Sequence, residues 1–226
     1  MEKARFAAKG GNKVELKLCE VTKKIGKTEI IDHVSCIMES GKVYGLKGYN
    51  GSGKTMLMRL ISGLIIPTSG DIYFDGKSLG KEIEFPSSMG LLIESPGFLD
   101  NLTAFNNLNL ISRLNNKASK SQIYDALVRV GLDPQDKRKY RKFSLGMKQR
   151  LGIAAVIFER PDLILLDEPS NALDADGISL LKKIIIEEKS RGSLVIVSCH
   201  EAELLSAVSD VIFTIEQGRI VGSATQ

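Results

Sequence analysis

Residues 48 to 55 read Gly-Tyr-Asn-Gly-Ser-Gly-Lys-Thr, directly after the apolar run Val43-Tyr44-Gly45-Leu46 and directly before a helical pattern from Met56 to Leu64. Gly48, Gly51 and Gly53 allow the tight backbone angles that turn successive N–H groups inward around phosphate oxygens. Tyr49, Asn50, Ser52, Lys54 and Thr55 complete the loop, and the helix that follows from Met56 adds the partial positive charge of its N-terminus. From this loop Lys54 is expected to reach the β- and γ-phosphates and the Thr55 hydroxyl to ligate Mg²⁺. The segment therefore predicts binding of a nucleoside triphosphate. A plain glycine turn with a surface lysine is the alternative, and the strand before and helix after argue against it.

A second group of residues suits the same chemistry. Leu163-Ile164-Leu165-Leu166-Asp167-Glu168 is an apolar strand that ends in two consecutive carboxylates. Buried parallel strands deliver acids in this way to the edge of a sheet. Asp167 is expected to hold Mg²⁺, directly or through water, and Glu168 to orient and polarise the water that attacks the γ-phosphate. In Phe143-Ser144-Leu145-Gly146-Met147-Lys148-Gln149-Arg150, Ser144 and Gly146 fall at a helix start, where unpaired N–H groups favour an anion. Residues 48 to 55 already account for one phosphate site per chain, so this second anion site suggests a triphosphate held by another subunit.

The elements that must position these residues can be read from periodicity. Strand-like runs at Val14 to Cys19 and Ile30 to Met38, separated by a polar turn at Lys23 to Thr28, suggest an antiparallel edge before the loop. Pro67-Thr68-Ser69-Gly70 forms a turn into a short strand, Asp71 to Asp75. The stretch from about Gly97 to Lys142 is Asn-rich and helical, with Ile123, Ala126, Leu127 and Val130 on one face and a stop at Gly131. Beyond it, strands at Leu163 to Leu166, Leu194 to Ser198 and Val211 to Ile215 alternate with helices at Met147 to Phe158, Asp176 to Lys189 and Glu201 to Val208. The fold class that follows is α/β, a phosphate-loop core with a mainly parallel sheet, an antiparallel β section and an inserted helical lobe.

Length and composition set the outer bounds. A chain of 226 residues suits one substantial α/β domain with an inserted lobe. We expect a flexible polar leader over residues 1–11, then a single domain over 12–226, with a core near 12–96 and 151–226 and the lobe near 97–150. A net charge of +4 neither requires nor excludes an anionic partner, so no nucleic acid is expected. The basic run from Lys137 to Lys142 reads as a solvated face. No apolar stretch approaches the roughly 18 residues that span a bilayer, and nothing in the opening segment resembles a secretory signal, which places the chain in the cytoplasm. Cys19, Cys36 and Cys199 lack metal-site spacing and read as reduced thiols. Cys199 beside His200 should not share a proton, because neighbours on a strand face opposite ways. His33, in a polar stretch, is expected to have no partner.

Taken in order, the phosphate loop, the segment around Ser144, the Asp167-Glu168 strand end, Asn171-Ala172-Leu173-Asp174 and His200 resemble the ABC ATPase cassette from about Val14 to Gly222. The resemblance implies a RecA-like core, Mg²⁺-dependent ATP hydrolysis and two cassettes packed head to tail, with a homodimer as the simplest pairing. Each ATP would lie between the phosphate loop of one chain and Ser144 and Gly146 of the other. Asp174 matches the position that communicates across that interface, and His200 matches the histidine that hydrogen-bonds the γ-phosphate. The partner implied is a separate membrane permease docked on the lobe, with the cassette at the inner face of the membrane. Glu94-Ser95-Pro96-Gly97-Phe98, Leu102-Thr103-Ala104 and the segment from Ser144 to Arg150 further resemble the bacitracin and lantibiotic branch of exporters.

Three positions depart from the family pattern. Glu94 stands where a glutamine usually touches Mg²⁺ or the attacking water. A carboxylate there would bind the metal more strongly while repelling the triphosphate. Leu145 and Met147 replace the usual glycine and glutamine, although Ser144 and Gly146 remain. Ile25 stands where an aromatic usually stacks on adenine, an aliphatic contact in place of a π-face. Two other functions stay open on these residues: a soluble ATPase of the same family acting on nucleic acid or ribosomes, and a nucleotide-binding regulator of low turnover.

Overall fold

The aliphatic runs that carry the site form strands covered on both faces, as parallel sheets require. A computed structural model describes residues 14–94, 97–115 and 118–225. The leader expected over residues 1–11 lies outside them, as do Ser95 and Pro96. Strands β1 (Glu15–Ile25), β2 (Thr28–Glu39), β3 (Val43–Lys47), β4 (Ser69–Phe74), β5 (Lys77–Ser78) and β6 (Met89–Leu92) lie in the first half. Strands β7 (Leu163–Asp167), β8 (Leu194–Ser198), β9 (Val211–Glu216) and β10 (Arg219–Thr225) lie in the second. One sheet runs β10-β9-β3-β8-β7-β6, with β9, β3, β8, β7 and β6 mutually parallel and β10 antiparallel at the edge.

The pleat of this sheet divides the core. From β7 and β8, Leu163, Leu165, Leu194 and Ile196 join one apolar cluster, while Ile164, Leu166, Val195 and Val197 join the other. The first cluster is closed by a separate antiparallel sheet, order β2-β1-β4-β5, and by helix α1 (Lys54–Ile61). The antiparallel section is thus a sheet of its own, not an edge of the parallel one. Its hairpin is also tighter than expected: Ile25 pairs with Thr28 across Gly26, whose φ is 60°. The strands run on because Val21 and Thr22 are buried and a bulge between Leu18 and Val21 re-aims them inward.

Helices α2 (Ala104–Asn115), α3 (Lys120–Arg129) and α4 (Leu145–Ile157) carry the second cluster away from the sheet, and α5 (Ala175–Ser190) and α6 (Ala202–Val208) cover the rest of that face. Ser119 opens α3 with a reciprocal capping box to Gln122, and Gly131, at φ 74°, ends it. Ile123, Ala126, Leu127 and Val130 are buried, as their spacing predicts. The expected lobe boundary at 150 falls inside α4, which runs on unbroken to pack against β6. Helix α1 stops at Ile61, short of Leu64, because Gly63 turns the chain with φ 81°.

Candidate functional site

The loop from Gly48 to Gly53 is pressed against its support so closely that side chains are excluded at two glycines. A Cβ on Gly48 would lie 2.4 Å from the Ile215 carbonyl oxygen and 2.5 Å from Ser52 Oγ. Gly53 takes φ 112°, and a Cβ there would lie 2.9 Å from Ile31 Cδ1. Loop and sheet are also hydrogen-bonded: the Gly218 N–H donates to the Ser52 carbonyl at 2.9 Å, and the Gln217 N–H donates to Tyr49 Oη at 3.2 Å. Lys54 is buried, and its Nζ donates to the carbonyls of Gly48 at 2.8 Å and Tyr49 at 3.2 Å, so the ammonium closes the loop on itself. Ser52 Oγ is buried without a hydrogen-bond partner. Asn50 is exposed and Met56 is half-buried against the core behind the loop.

The strand-end acids meet the loop helix. Thr55 Oγ1 donates to Asp167 Oδ2 at 2.6 Å, and the Ser198 hydroxyl donates to Asp167 Oδ1. Asp167 is 6% exposed. Hydroxyl and carboxylate oxygens are the hard donors that Mg²⁺ takes, so Thr55 and Asp167 fit that ion. Glu168 turns out of β7 with φ 47°, its N–H donating to the Ser198 carbonyl at 3.0 Å. One carboxylate oxygen, Oε2, lies 2.8 Å from His200 Nδ1; the other, Oε1, lies 3.7 Å from Lys54 Nζ and has no hydrogen-bond partner. A carboxylate anion only accepts, so His200 Nδ1 carries the hydrogen in this arrangement. Lys54, Thr55, Asp167, Glu168 and His200, drawn from three separate segments, thus converge.

Other expected residues lie apart from this convergence. Ser144 caps α4, accepting from the Met147 N–H at 3.2 Å, and Gly146 lies so near the Ala172 carbonyl that a Cβ would approach it to 2.9 Å. Both line an open groove of about 520 Å³ with Asp174, Arg150 and Arg138, away from the chain's own phosphate loop. Asp174 caps α5, accepting from the Gly177 N–H at 2.9 Å and from Arg150 Nη2 at 2.7 Å. The Gly177 bond, helped by Arg150, holds its carboxyl below the usual range. Ile25 stands 55% exposed at the β1 hairpin tip. Glu94, at φ 60°, spends its carboxylate in an ion pair with Arg59 of α1.

One expectation is corrected, and another stands on different grounds. His33 has a partner: its Nδ1 lies 2.5 Å from Asp32 Oδ1, and that hydrogen bond raises its pKa above 6.5. For Cys199 and His200 the reason changes and the expectation does not: strand alternation stops with β8 at Ser198, and thiol and imidazole lie within 4.8 Å of each other and of Glu168, yet Cys199 Sγ meets Ser170 and the Glu201 N–H while His200 Nδ1 meets Glu168. Two residues of the site escaped sequence reasoning. Ser198 anchors Asp167 and Glu168 together, and its signal was a serine closing an aliphatic strand in register with the Asp167 strand. Arg59 left no signal, since its partner Glu94 is distant in sequence.

The sequence model for ABC transporters matches residues 31–171. YybJ, an uncharacterized ABC transporter ATP-binding protein of Bacillus subtilis (strain 168), is 46% identical over 205 residues, 91% of this chain and 94% of that protein. The bacitracin transport ATP-binding protein BcrA of Enterococcus faecalis is 37% identical over 203 residues, 89% of this chain but only 66% of that longer protein. The lantibiotic transport ATP-binding protein SrtF of Streptococcus pyogenes is 39% identical over 206 residues, 91% of this chain and 89% of its own length. Among solved structures, the dimeric bacterial ABC transporter cassette MJ0796 superposes with a TM-score of 0.81 at 23% identity, covering 93% of this chain and 98% of that one, a likeness of fold.

Proposed function

The chain belongs to the ABC transporter family, as an ATP-binding subunit of the bacitracin and lantibiotic transport branch, and from that premise we propose that it hydrolyses Mg·ATP to drive a separate membrane permease that exports a drug or peptide antibiotic. The observation that carries hydrolysis is the meeting of Lys54, Thr55 and Asp167 with the Glu168-His200 pair. Lys54 leaves the loop carbonyls to take phosphate oxygens, and the inward N–H groups of the loop hold the rest of the triphosphate. Thr55 and Asp167 are the residues that would hold Mg²⁺, and the ion would supply positive charge against the phosphates. Glu168 orients a water and accepts its proton, while His200 fixes the carboxylate and stands ready for the γ-phosphate.

Ser144 and Gly146 line a groove to which their own phosphate loop contributes no residue, and this supports a head-to-tail homodimer in which each completes its partner's site. Among the described residues no helix is long and apolar enough to cross a membrane, which fits a cassette held at the cytoplasmic face by its permease. The test is Mg·ATP turnover together with solution mass for the wild type and Glu168→Gln. Hydrolysis by the wild type and an ATP-bound, non-hydrolysing dimer of the variant support the reading; equal turnover by the two proteins, or a monomer under all conditions, contradicts it.

A further inference from the structure

Glu168, Cys199 and His200 bring a carboxylate oxygen, a thiol sulfur and an imidazole nitrogen within 4.8 Å of one another. Phosphate binding and water activation make no use of the sulfur. Cys199 is buried directly after β8, its Sγ meeting Ser170 Oγ at 3.5 Å and the Glu201 N–H at 3.2 Å, ordinary hydrogen-bond lengths for a weak sulfur partner that a metal ion can displace. His200 is exposed, so the group opens to solvent through the imidazole. Glu168 Oε1 is buried and has no hydrogen-bond partner. Burial pushes the Cys199 thiol up, so without a cation the sulfur stays protonated.

We propose that Glu168, Cys199 and His200 form an inhibitory Zn²⁺ site, whose occupation removes the carboxylate and imidazole from nucleotide hydrolysis. The donor set decides the ion. Mg²⁺ takes oxygens and has no use for a thiol, whereas one sulfur, one nitrogen and one oxygen suit zinc, with a water in the fourth position. Zinc bond lengths of about 2.0–2.3 Å put neighbouring ligand atoms roughly 3.3–3.8 Å apart, so side-chain rotations of about 1 Å are enough. On binding, the Cys199 S–H bond breaks, an S–Zn bond forms and the proton passes to solvent, while neutral His200, with its ring hydrogen on the nitrogen turned away from zinc, and ionised Glu168 contribute lone pairs. No electron changes hands.

The inhibitory half of the proposal rests on the reading that Glu168 activates water; the binding half does not. With three cysteines and two histidines in the whole chain, zinc binding is simple to assign. The full chain carrying Cys19→Ser and Cys36→Ser is titrated with Zn²⁺ against a chromophoric chelator, without nucleotide. One zinc per chain is expected, bound at least tenfold more weakly after Cys199→Ser and after His200→Ala. His200 is exposed, so its variant tests the site even where a polar group at buried position 199 unfolds the protein. Affinity unchanged in both variants overturns the site. Zinc is then added to Mg·ATP turnover, each protein referred to its own zinc-free rate. Half-inhibition near the measured zinc affinity, moved at least tenfold by Cys199→Ser, supports the switch, and turnover indifferent to bound zinc overturns it. A chain that hydrolyses no ATP contradicts the proposed hydrolysis alone, and the chelator titration still decides the site.

Discussion

Glu168 and His200, 32 residues apart in the chain, meet with the imidazole Nδ1 2.8 Å from the carboxylate Oε2. The parallel register of β7 and β8 makes the meeting possible. Asp167 pairs with Ser198 across the two strands, so the residues that follow each leave the sheet side by side. Glu168 is steered further by its own N–H, which reaches the Ser198 carbonyl, and by a left-handed backbone that only the surrounding contacts hold in place. The carboxylate is therefore aimed before any nucleotide arrives.

Preorganisation of that kind predicts a selective defect. Glu168→Gln keeps the shape and loses the proton acceptor, so ATP turnover falls by about 10²-fold or more while ATP binding is retained. His200→Ala frees the Glu168 side chain and lowers turnover by a smaller factor. Steady-state kinetics alongside equilibrium nucleotide binding separate the two effects. A glutamine variant that turns over at the wild-type rate would falsify the role given to Glu168.

Much of this arrangement is legible in sequence, for reasons that can be stated residue by residue. An aliphatic strand ending in Asp167 and Glu168 has few meanings beside a complete phosphate loop; β7 and β8 are found within a residue because their aliphatic runs are unbroken, β3 because it leads into that loop, and β9 because four of its first five residues are apolar. Strand β6 escapes because it is only four residues long and follows Pro86-Ser87-Ser88, residue types that favour turns over strands. Its Gly90 is a packing requirement: a Cβ there would lie 2.3 Å from the Val156 carbonyl of α4. Strand β10 escapes because an exposed edge strand needs no apolar alternation. The Cys199 and His200 geometry escapes because the alternation rule was carried one step past the end of a strand.

The close approach behind the phosphate loop gives a second prediction. Alanine at Gly48 places its Cβ against the Ile215 carbonyl, which β9 holds in its ladder, and against Ser52 Oγ. Loop or strand must move, at a cost of about 1–3 kcal/mol. Because the loop is the movable part, nucleotide binding suffers most. In wild type, Mg·ATP raises the melting temperature by ligand linkage. Gly48→Ala is expected to lose most of that rise, and a variant with the full rise would show that the loop tolerates the side chain.

A pH effect follows from the pair on the far side of β2. His33 titrates above 6.5 because of its hydrogen bond to Asp32, whose carboxyl is in turn held low by His33 and Arg219. A folded pKa above the unfolded one means that the protonated imidazole stabilises the fold. That contribution is complete below pH 6.5 and is lost as pH rises through the raised value. Proton NMR of the two histidines, with Asp32→Asn as the control, should find His33 above 6.5 in the wild type and closer to it in the variant. A wild-type His33 titrating at or below 6.5 excludes the pair in solution.

At the hairpin tip, Ile25 offers an exposed aliphatic surface where the family pattern has an aromatic. Apolar contact with a purine does not distinguish adenine from guanine, and the stacking contribution of about 0.5–1.5 kcal/mol is missing. The expected outcome is kcat/KM for ATP and GTP within about tenfold, with Ile25→Tyr lowering KM for both nucleotides by a few-fold. Strong ATP preference in the wild type would mean that base recognition resides elsewhere.

Glu94 poses the sharpest question about metal dependence, because the chain puts a carboxylate where the family pattern has a neutral amide. In the structure Arg59 neutralises that carboxylate, and Arg59 belongs to α1, the same helix that presents Lys54 and Thr55. The pairing resolves the objection that an extra anion would repel the triphosphate. The guanidinium cancels most of the repulsion, and Glu94 is expected to exchange Arg59 for the metal or its waters once Mg·ATP is bound. Glu94→Gln should then raise the Mg²⁺ concentration needed for half-maximal turnover several-fold, with a smaller change at saturating Mg²⁺. Arg59→Ala, which releases the carboxylate, should shift the requirement the other way while weakening ATP binding. Mg²⁺ titrations of turnover for the three proteins decide the matter, and an unchanged requirement in Glu94→Gln would leave Glu94 as the anchor of Arg59 alone.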